Sequence, residues 1–452
     1  MPTFKWQSSV DHPIQEVFDW HTRAGAFERL NAPWRPVSVI RSSGSIQSGN
    51  EVAIKLPVIG KFGIPWVLKH STYDPPNLFR DEQISGPFKS WRHSHQFVSE
   101  SDNSTRLIDH IEYKLPLGGD IIAPLVNREL TRLFKHRHQT LARDLDLHGR
   151  WGDKPRKTVL IAGASGFVGR ALSAFLSTAG HTVLHLVRRS PNKPNELFWD
   201  PASGILDPIV FNGVDVVINL CGENIAGGRW TPQRKKLIES SRVGPTSLLA
   251  QVVADLKTPP QVFINASGAG FYGDTESRIV DENSGSGDDF LARVSLAWEG
   301  ALAPLNSSPC RVAQLRIGMV LNGAGGALAK MLPAFICGLG GKLGSGDQYI
   351  SWIALTDLLG IFEHAIYNAE ISGPINAVAP NPVTNSDFTK ALGRVLKRPT
   401  IIPVPAAILR MALGELSQLL LASNRIVPTK LTDSGYRFTL PKIEGALESE
   451  IG

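Results

Sequence analysis

Residues Thr158–Arg170 read TVLIAGASGFVGR, in which a short apolar run leads into a glycine-rich turn and then into a helical pattern containing Ala171, Leu172 and Phe175. The G-x-x-G-x-x-G spacing predicts a strand, a tight turn and a helix whose free N–H groups face a pyrophosphate. In this arrangement the first glycine permits the turn, the second admits the phosphate and the third lets the helix pack closely on the strand. The predicted cofactor-binding turn consists of Gly163, Ala164, Ser165, Gly166, Phe167, Val168 and Gly169.

Further short apolar runs follow this turn and alternate with helical patterns. The predicted strands are Thr158–Gly163, His181–Val187, Val214–Leu220 and Val262–Ala266. Almost wholly apolar strands separated by helices are typical of a parallel sheet that is buried on both faces. The pattern therefore predicts an α/β Rossmann-type domain with a doubly wound parallel sheet.

The chain before this domain has a different pattern, and the polar stretch His148–Lys157 (HGRWGDKPRK) separates the two regions. In this region the pattern predicts strands of antiparallel type, a short helix, and a long basic helix that ends the region. These strands are Phe4–Ser9, Glu51–Leu56, Val67–Asp74, Ser90–Ser99 and Ser104–Leu115. We therefore expect three parts: an α+β domain at 1–150, a Rossmann domain at 157–400 and a small helical region at 401–452.

The element order of the N-terminal region resembles the START-like helix-grip fold of the polyketide cyclase/dehydrase and lipid-transport family. The resemblance covers about 145 residues and rests on element order, because it includes no diagnostic motif. It implies a curved sheet wrapped around the long helix, with an apolar cavity for a hydrophobic small molecule.

The second predicted Rossmann strand ends in Arg188-Arg189-Ser190, where an NAD-selective protein usually has an acid for the ribose 2′-hydroxyl. Two guanidinium groups can instead receive a 2′-phosphate through charge-assisted hydrogen bonds. Arg188 and Arg189 therefore favour NADP(H) as the cofactor. The alternative is that both arginines are solvated at the end of the strand.

Several segments together resemble the extended short-chain dehydrogenase/reductases, and within them the atypical epimerase subfamily with SulA-like members. They are the glycine turn, VINLCGENI at 217–225, GRW at 228–230, ASGAGFYGD at 266–274 and LPAFICGLGGKLGSG at 332–346. The match extends from about 157 to 447. The resemblance implies that Leu220, Cys221 and Gly222 form a wall beside the cofactor and that Glu223 lies near a ribose hydroxyl. It also implies that the last 50 residues or so form a small helical domain, and that Cys221 fills space where relatives have a small residue.

The catalytic residues of ordinary short-chain dehydrogenases are only partly present. Ser267 matches the serine position, but the Tyr-x-x-x-Lys pair is absent, and Asp289 and Arg293 stand at that spacing instead. Arginine cannot replace lysine cleanly, because its fork geometry and pKa above about 12 suit it to holding anions. Tyr272 is the nearest candidate acid/base, with a local packing role as the alternative. The acids that follow, among them Glu282, are expected to be solvated loop residues.

The composition excludes several other functions. The 452 residues include 47 Lys and Arg against 41 Asp and Glu, which gives a net charge of +6. The sequence has no basic segment with interleaved aromatic residues, so it does not predict nucleic-acid binding. Three scattered cysteines and no apolar leader argue for a reducing, cytoplasmic setting, and no apolar stretch is long enough to predict a membrane span. His93 and His95 share a strand face, but no third ligand is evident, so we expect a structural pair and no metal site.

Two hypotheses remain. The first is an NADP(H)-dependent oxidoreductase or epimerase-like enzyme acting on a small substrate, with an N-terminal domain that binds a hydrophobic molecule. The second is a catalytically degenerate NADP-binding sensor or scaffold coupled to a lipid-type binding module, which the missing Tyr-x-x-x-Lys pair favours.

Overall fold

The computed structural model describes residues 2–59, 62–116 and 119–452. The chain divides into two compact units. The first comprises Met1–Asp153, Ala174–Gly180 and Ile451–Gly452, and the second comprises Lys154–Ser173 and His181–Glu450. Across the described ranges, helices of sufficient length and apolar character to traverse a bilayer are absent.

Seven antiparallel strands form the sheet of the first unit. In chain order they are β1 (Thr3–Val10), β2 (Ser38–Ser42), β3 (Glu51–Ile59), β4 (Phe62–Asp74), β5 (Leu78–Ser85), β6 (Ser90–Ser101) and β7 (Ser104–Lys114). Their order across the sheet is β1-β7-β6-β5-β4-β3-β2. The sequence pattern misses β2, which is exposed along its whole length, and β5, whose centre is polar.

The helices of this unit are α1 (Ile14–Thr22), α2 (Ala26–Arg29) and the long α3 (Ala123–Gly149). One face of α3 is buried against the sheet, because Leu130 and Phe134 pack with Phe4 while Leu141 packs with Val10. This is the predicted helix-grip arrangement, and it is confirmed.

A cavity of about 950 Å³ lies inside the first unit. Its lining is largely aromatic and aliphatic and includes Trp66, Phe88, Trp91, Leu130 and Leu133. A volume of this size suits a drug-sized or lipid-like molecule. The cavity also has a polar region, which carries Asp81, His93 and His95.

The strands of the second unit are β8 (Thr158–Ala162), β9 (Thr182–Val187), β10 (Glu196–Phe198), β11 (Val216–Asn219), β12 (Val262–Gly268), β13 (Arg311–Ile317), β14 (Met319–Leu321), β15 (Tyr349–Ile350), β16 (Trp352–Ala354), β17 (Gly373–Ala377) and β18 (Val383–Thr384). Seven of them form a parallel sheet in the order β10-β9-β8-β11-β12-β13-β17. Two small pairs, β14-β16 and β15-β18, lie outside it. Residues 159–162 of β8 are fully buried, as a strand covered on both faces must be.

Helices alternate with these strands and continue into the C-terminal region. They are α4 (Phe167–Thr178), α5 (Pro232–Ala254), α6 (Phe290–Gly300), α7 (Gly326–Ile336), α8 (Leu355–Tyr367), α9 (Asn385–Leu396), α10 (Ala406–Leu413), α11 (Gln418–Leu421), α12 (Thr429–Asp433) and α13 (Ile443–Ile451). The strand order reverses its direction of growth between β8 and β11, which is the doubly wound Rossmann order. The predicted fold class is confirmed, and ligands of such sheets bind at this reversal, beyond the carboxyl ends of the strands.

Candidate functional site

The turn between β8 and α4 lies at the carboxyl edge of the parallel sheet. Gly163 has a φ of +85°, a conformation that glycine adopts without strain, and the Gly166 N–H donates to the Gly163 carbonyl oxygen at 3.0 Å. A Cβ at Gly169 would lie 2.3 Å from that same oxygen, so only glycine allows α4 to approach the turn this closely. Ser165 and Gly166 are exposed at the start of α4, whose first N–H groups have no partners within the helix.

The loop after β11 lies directly beside this turn. A Cβ at Gly163 would come within 2.8 Å of the Leu220 carbonyl carbon and 3.2 Å of the Cys221 nitrogen. The structure therefore brings together the glycine turn and the Leu220–Cys221 wall that the sequence resemblance pairs with it. Glu223 follows in the same loop, where its Oε1 atom lies 2.9 Å from Nη2 of Arg234 in a partly exposed ion pair.

Cys221 has the environment of an unreactive thiol. Burial raises its pKa to about 12, although the nearby Arg188 charge acts in the opposite direction. A thiol with such a pKa carries almost no thiolate at neutral pH, and the thiolate is the reactive form. This environment is consistent with the space-filling role expected for Cys221.

The two arginines after β9 are both exposed but are not equivalent. Nη2 of Arg189 lies 2.5 Å from Oε1 of Glu196, and Nη1 donates to Oε2 at 2.8 Å. The hydrogen bonds from Arg189 lower the pKa of Glu196 to about 2, so this carboxylate is charged at neutral pH. Arg188 has no ion pair with any residue that the structure describes. Arg188 is therefore the guanidinium that is free to meet an added anion.

A chain of buried polar side chains extends from the end of β12 to β17. The Ser267 hydroxyl donates to Oε1 of Glu299 at 2.7 Å, and Arg316 donates to both Glu299 oxygens at 2.8 Å. Arg316 also donates to the Tyr272 hydroxyl at 2.9 Å, which in turn donates to Oδ1 of Asn376 at 2.8 Å. We refer to these five residues as the buried polar network.

The predicted catalytic pair, Ser267 and Tyr272, belongs to this network. Both residues are only 4% exposed, and the Tyr272 hydroxyl has its donor and acceptor functions engaged. Burial raises the pKa of Tyr272 above its ordinary value, although the Arg316 charge opposes the shift. The phenol is therefore protonated at neutral pH, in contrast to the lowered pKa that a neighbouring lysine gives the tyrosine of an ordinary short-chain dehydrogenase.

The residues at the Tyr-x-x-x-Lys spacing serve the start of α6. Asp289 is the N-cap residue and accepts a hydrogen bond from the Ala292 N–H at 2.8 Å. Arg293 is exposed and donates to the Asp288 carbonyl oxygen. Asp289 thus caps α6 and Arg293 contacts the loop before it, whereas the residue that α6 contributes to the buried polar network is Glu299.

Sequence reasoning missed two residues of this region, Glu299 and Asn376, and assigned the wrong environment to a third, Glu282. Glu299 is the single acid of α6, and Asn376 lies on β17, so neither stands in a recognisable motif. The expectation that Glu282 is a solvated loop acid is wrong, because it is 6% exposed and accepts from the Asn376 N–H at 2.9 Å. The signal that could have found Glu299 is its position as the single acid of α6, the helix that follows the Ser267 strand.

The fold and the glycine turn define the class: a Rossmann dinucleotide-binding protein built like the short-chain dehydrogenases. Profiles of known families match three segments of the chain. They are the polyketide cyclase/dehydrase and lipid transport family at residues 10–138, the NAD dependent epimerase/dehydratase family at 159–293, and a domain of unknown function, DUF1731, at 404–450.

Individual relatives agree with these profiles. The Epimerase family protein Mb2239 of Mycobacterium bovis is 46% identical over 281 residues, which are 62% of this chain and 93% of that protein. The crystal structure of a nucleoside-diphosphate sugar epimerase from Corynebacterium glutamicum is 37% identical, with a TM-score of 0.83 over 99% of this chain and 90% of that one. Human SDR39U1, solved with NADPH, is 34% identical, with a TM-score of 0.61 over 65% of this chain and 99% of that one.

The chain belongs to the epimerase family that includes SDR39U1. Both resemblances expected from the sequence, to the extended short-chain dehydrogenases and to the START-like fold, are confirmed. The members of this family share an NAD(P)-binding fold of the epimerase type.

Proposed function

We propose that this protein binds NADP(H) at the carboxyl edge of its parallel sheet and acts as an oxidoreductase or epimerase-like enzyme on a small substrate. The observation that carries the proposal is the geometry of the Gly163–Gly169 turn. The turn packs closely against Leu220, and it exposes Ser165 and Gly166 at the N-terminus of α4, where backbone N–H groups can bind a phosphate. This turn lies where the strand order reverses, the usual position of a dinucleotide in such sheets. The bound nicotinamide would supply hydride transfer.

The cofactor-binding residues that we propose have separate tasks. The turn formed by Gly163, Ala164, Ser165, Gly166, Phe167, Val168 and Gly169 holds the pyrophosphate through its backbone N–H groups, except that of Gly166, which donates to the Gly163 carbonyl oxygen. Leu220, Cys221 and Gly222 form the neighbouring wall of the cofactor site. Glu223 accepts a hydrogen bond from a ribose hydroxyl while it keeps its contact with Arg234. Arg188 receives the 2′-phosphate, and Arg189 joins it if its pair with Glu196 opens. The NADPH bound by the human relative supports the choice of cofactor.

Replacing Arg188 with alanine is expected to weaken NADPH binding by about 10- to 100-fold, because a charge-assisted hydrogen bond contributes about 1.5–3 kcal/mol. NADH binding should not change, since NADH lacks the 2′-phosphate. Fluorescence titration of both nucleotides into both proteins measures the two ratios.

Arg106→Ala is the matched control for this substitution. It removes one positive charge from a partly exposed arginine in the first unit, whose only ion-pair partner among the described residues is Glu100. Its NADPH affinity should equal that of the unmodified protein. Tighter binding of NADH than NADPH by the unmodified protein would refute the cofactor assignment.

For catalysis we propose that Ser267 and Tyr272 act together with Glu299 and Arg316. The Arg316 guanidinium and the Glu299 carboxylate hold the Ser267 and Tyr272 hydroxyls in one geometry at the strand ends. Tyr272 is in this proposal a positioning residue, because its hydroxyl is already engaged at both functions. The proton that accompanies hydride transfer comes from another donor, such as solvent.

The Tyr272→Phe variant tests this division of roles. We expect kcat for NADPH oxidation to fall by less than about 10-fold, whereas loss of a general acid typically costs 10²- to 10⁴-fold. The substrate for the assay is whichever compound of an aldehyde, ketone and quinone panel oxidises NADPH fastest. The pH profile of kcat should keep its shape. A loss of a hundredfold or more together with the disappearance of one limb of that profile would make Tyr272 the acid.

A second candidate function follows from the same network. Its polar groups are satisfied by one another, and the Tyr-x-x-x-Lys pair is absent, which favours a non-catalytic NADP-binding sensor or scaffold. The substrate panel distinguishes the two candidates. Tight NADPH binding without oxidation by any member supports the scaffold, and turnover supports the enzyme.

The N-terminal unit supplies the second part of the proposed function. Its cavity of about 950 Å³ and its aromatic lining support the binding of a hydrophobic small molecule. The family profile over residues 10–138, which includes lipid-transport proteins, supports the same ligand class.

A further inference from the structure

Three neighbouring strands of the N-terminal sheet place acids and imidazoles on one face. Asp81 of β5 lies opposite His93 of β6, and Asp109 of β7 lies opposite His95 of β6. The side chains of Asp81, His93 and Asp109 are less than a tenth exposed, and that of His95 is 16% exposed. The two histidines therefore have acids on both sides, which their spacing along the chain does not reveal.

The distances from Asp81 do not fit ordinary hydrogen bonds. Its Oδ2 atom lies 3.4 Å from Nδ1 of His93 and 3.5 Å from Nε2 of His95. Two donor atoms bound to one tetrahedral zinc at about 2.0–2.1 Å are about 3.3–3.4 Å apart, so these separations match those of ligands around a common ion. One potential ligand atom from each of the three residues lies within 4.8 Å of the others.

Asp109 lies behind the histidines and orients both rings. Its Oδ1 atom accepts from Nε2 of His93 at 2.8 Å and from Nδ1 of His95 at 2.7 Å. These bonds place the ring protons on the side of Asp109 and leave the lone pairs of the other two nitrogens directed toward Asp81. The second Asp109 oxygen lies 2.5 Å from Nε2 of His138, whose Nδ1 contacts the Ser8 hydroxyl at 2.6 Å.

We propose that Asp81, His93 and His95 form a binding site for a divalent, zinc-type metal ion in the N-terminal unit. A carboxylate and two imidazoles, with a second carboxylate behind the rings, form the three-ligand set of zinc sites that keep a fourth position open. All three ligands line the cavity of about 950 Å³, so the open position faces that cavity. The ligand that completes the site is a hydrophobic molecule bearing an oxygen donor. This inference does not depend on NADP(H) binding.

The competing explanation is a metal-free ion-pair cluster in which protonated imidazoles balance the two carboxylates. Metal analysis of the full-length protein separates the two explanations. After removal of metal by a chelator and equilibration with Zn²⁺, we expect one zinc per chain. The Co²⁺ form should show the intense visible absorption of a four-coordinate site.

Variants assign the ligands. Asp81→Asn, His93→Gln and His95→Gln should each lose stoichiometric zinc, and Asp109→Asn should weaken zinc binding by about 10- to 100-fold as an orienting carboxylate. His110→Gln is the matched control, because His110 follows Asp109 on β7 and its side chain points to the opposite face of the strand. Circular dichroism checks that each variant is folded, and His95→Gln changes the most exposed of the ligands.

The open position is tested with octanohydroxamate, an apolar chain that carries an oxygen-donor head group. We expect it to shift the visible spectrum of the Co²⁺ protein. Absence of a shift would overturn the open position. The metal site itself is overturned if the folded, unmodified protein takes up no stoichiometric zinc or cobalt, or if folded Asp81→Asn and His93→Gln proteins retain it.

Discussion

Alanine at position 169 should abolish NADPH binding at concentrations where the unmodified protein is saturated, a loss of at least about 100-fold or about 2.7 kcal/mol. The new Cβ would lie 2.3 Å from the Gly163 carbonyl oxygen and 2.8 Å from the Ala164 Cα atom. Because both contacts are with backbone, the turn must open or α4 must move away. Either change misplaces the N–H groups proposed to hold the pyrophosphate, and each charge-assisted bond is worth about 1.5–3 kcal/mol.

The same substitution should lower the free energy of unfolding by about 1–3 kcal/mol, as overpacking typically does. Gly244→Ala is the matched control, since this glycine also lies within a helix but a Cβ there meets no atom within 4 Å. Gly244→Ala should leave NADPH binding unchanged and leave stability equal or up to about 1 kcal/mol higher. Isothermal titration calorimetry and urea unfolding supply both measurements. A Gly169→Ala protein that bound NADPH normally would contradict the proposed site.

The second large effect is expected from Glu299→Gln. Arg316 is 4% exposed, and the Glu299 carboxylate is its ion-pair partner, at 2.8 Å. Removing one partner of a buried ion pair leaves the other charge uncompensated and typically costs about 3–5 kcal/mol. We expect a loss of about 3 kcal/mol in the free energy of unfolding, together with loss of any NADPH oxidation, because the Ser267 hydroxyl is then held by a neutral amide.

Two comparisons separate this effect from a general loss of charge. Glu444→Gln removes the carboxylate of an exposed pair with Arg394, and we expect a change of less than about 1 kcal/mol. The double variant Glu299→Leu with Arg316→Met replaces the buried pair by apolar side chains and should recover most of the lost stability without restoring turnover. Equal stabilities of the Glu299→Gln and Glu444→Gln proteins would show that the buried pair does not matter to the fold.

The glycine turn could be predicted from sequence because its requirements are local. A strand, a turn with one positive φ and a helix start each depend on a few consecutive residues, and Gly163–Gly169 contains them all. The Rossmann sheet could be predicted for the same reason, since strands buried on both faces read as short apolar runs. By contrast, β5 was missed because its inward-facing Asp81 breaks the apolar alternation that marks a strand.

The pairing of Arg188 with a 2′-phosphate could also be proposed from sequence, but the difference between the two arginines could not. Arg189 meets Glu196 because the chain returns to the edge of β9 as β10, and nothing near Arg189 in the sequence indicates that return. The same holds for Tyr272, whose spacing suggested an acid/base and whose contacts with Arg316 and Asn376 suggest a positioning role.

The amino-acid order alone determined the class of this protein, because backbone conformation and hydrophobic periodicity are written in neighbouring residues. The tertiary structure decided which polar groups meet: Ser267 with Glu299 and Arg316, and Asp81 with the two histidines of β6. These contacts depend on strand register and on helix packing, because the residues that form them are separated by more than ten residues in the chain. Side-chain chemistry at such distances is set by the sheet and not by the spacing of a motif.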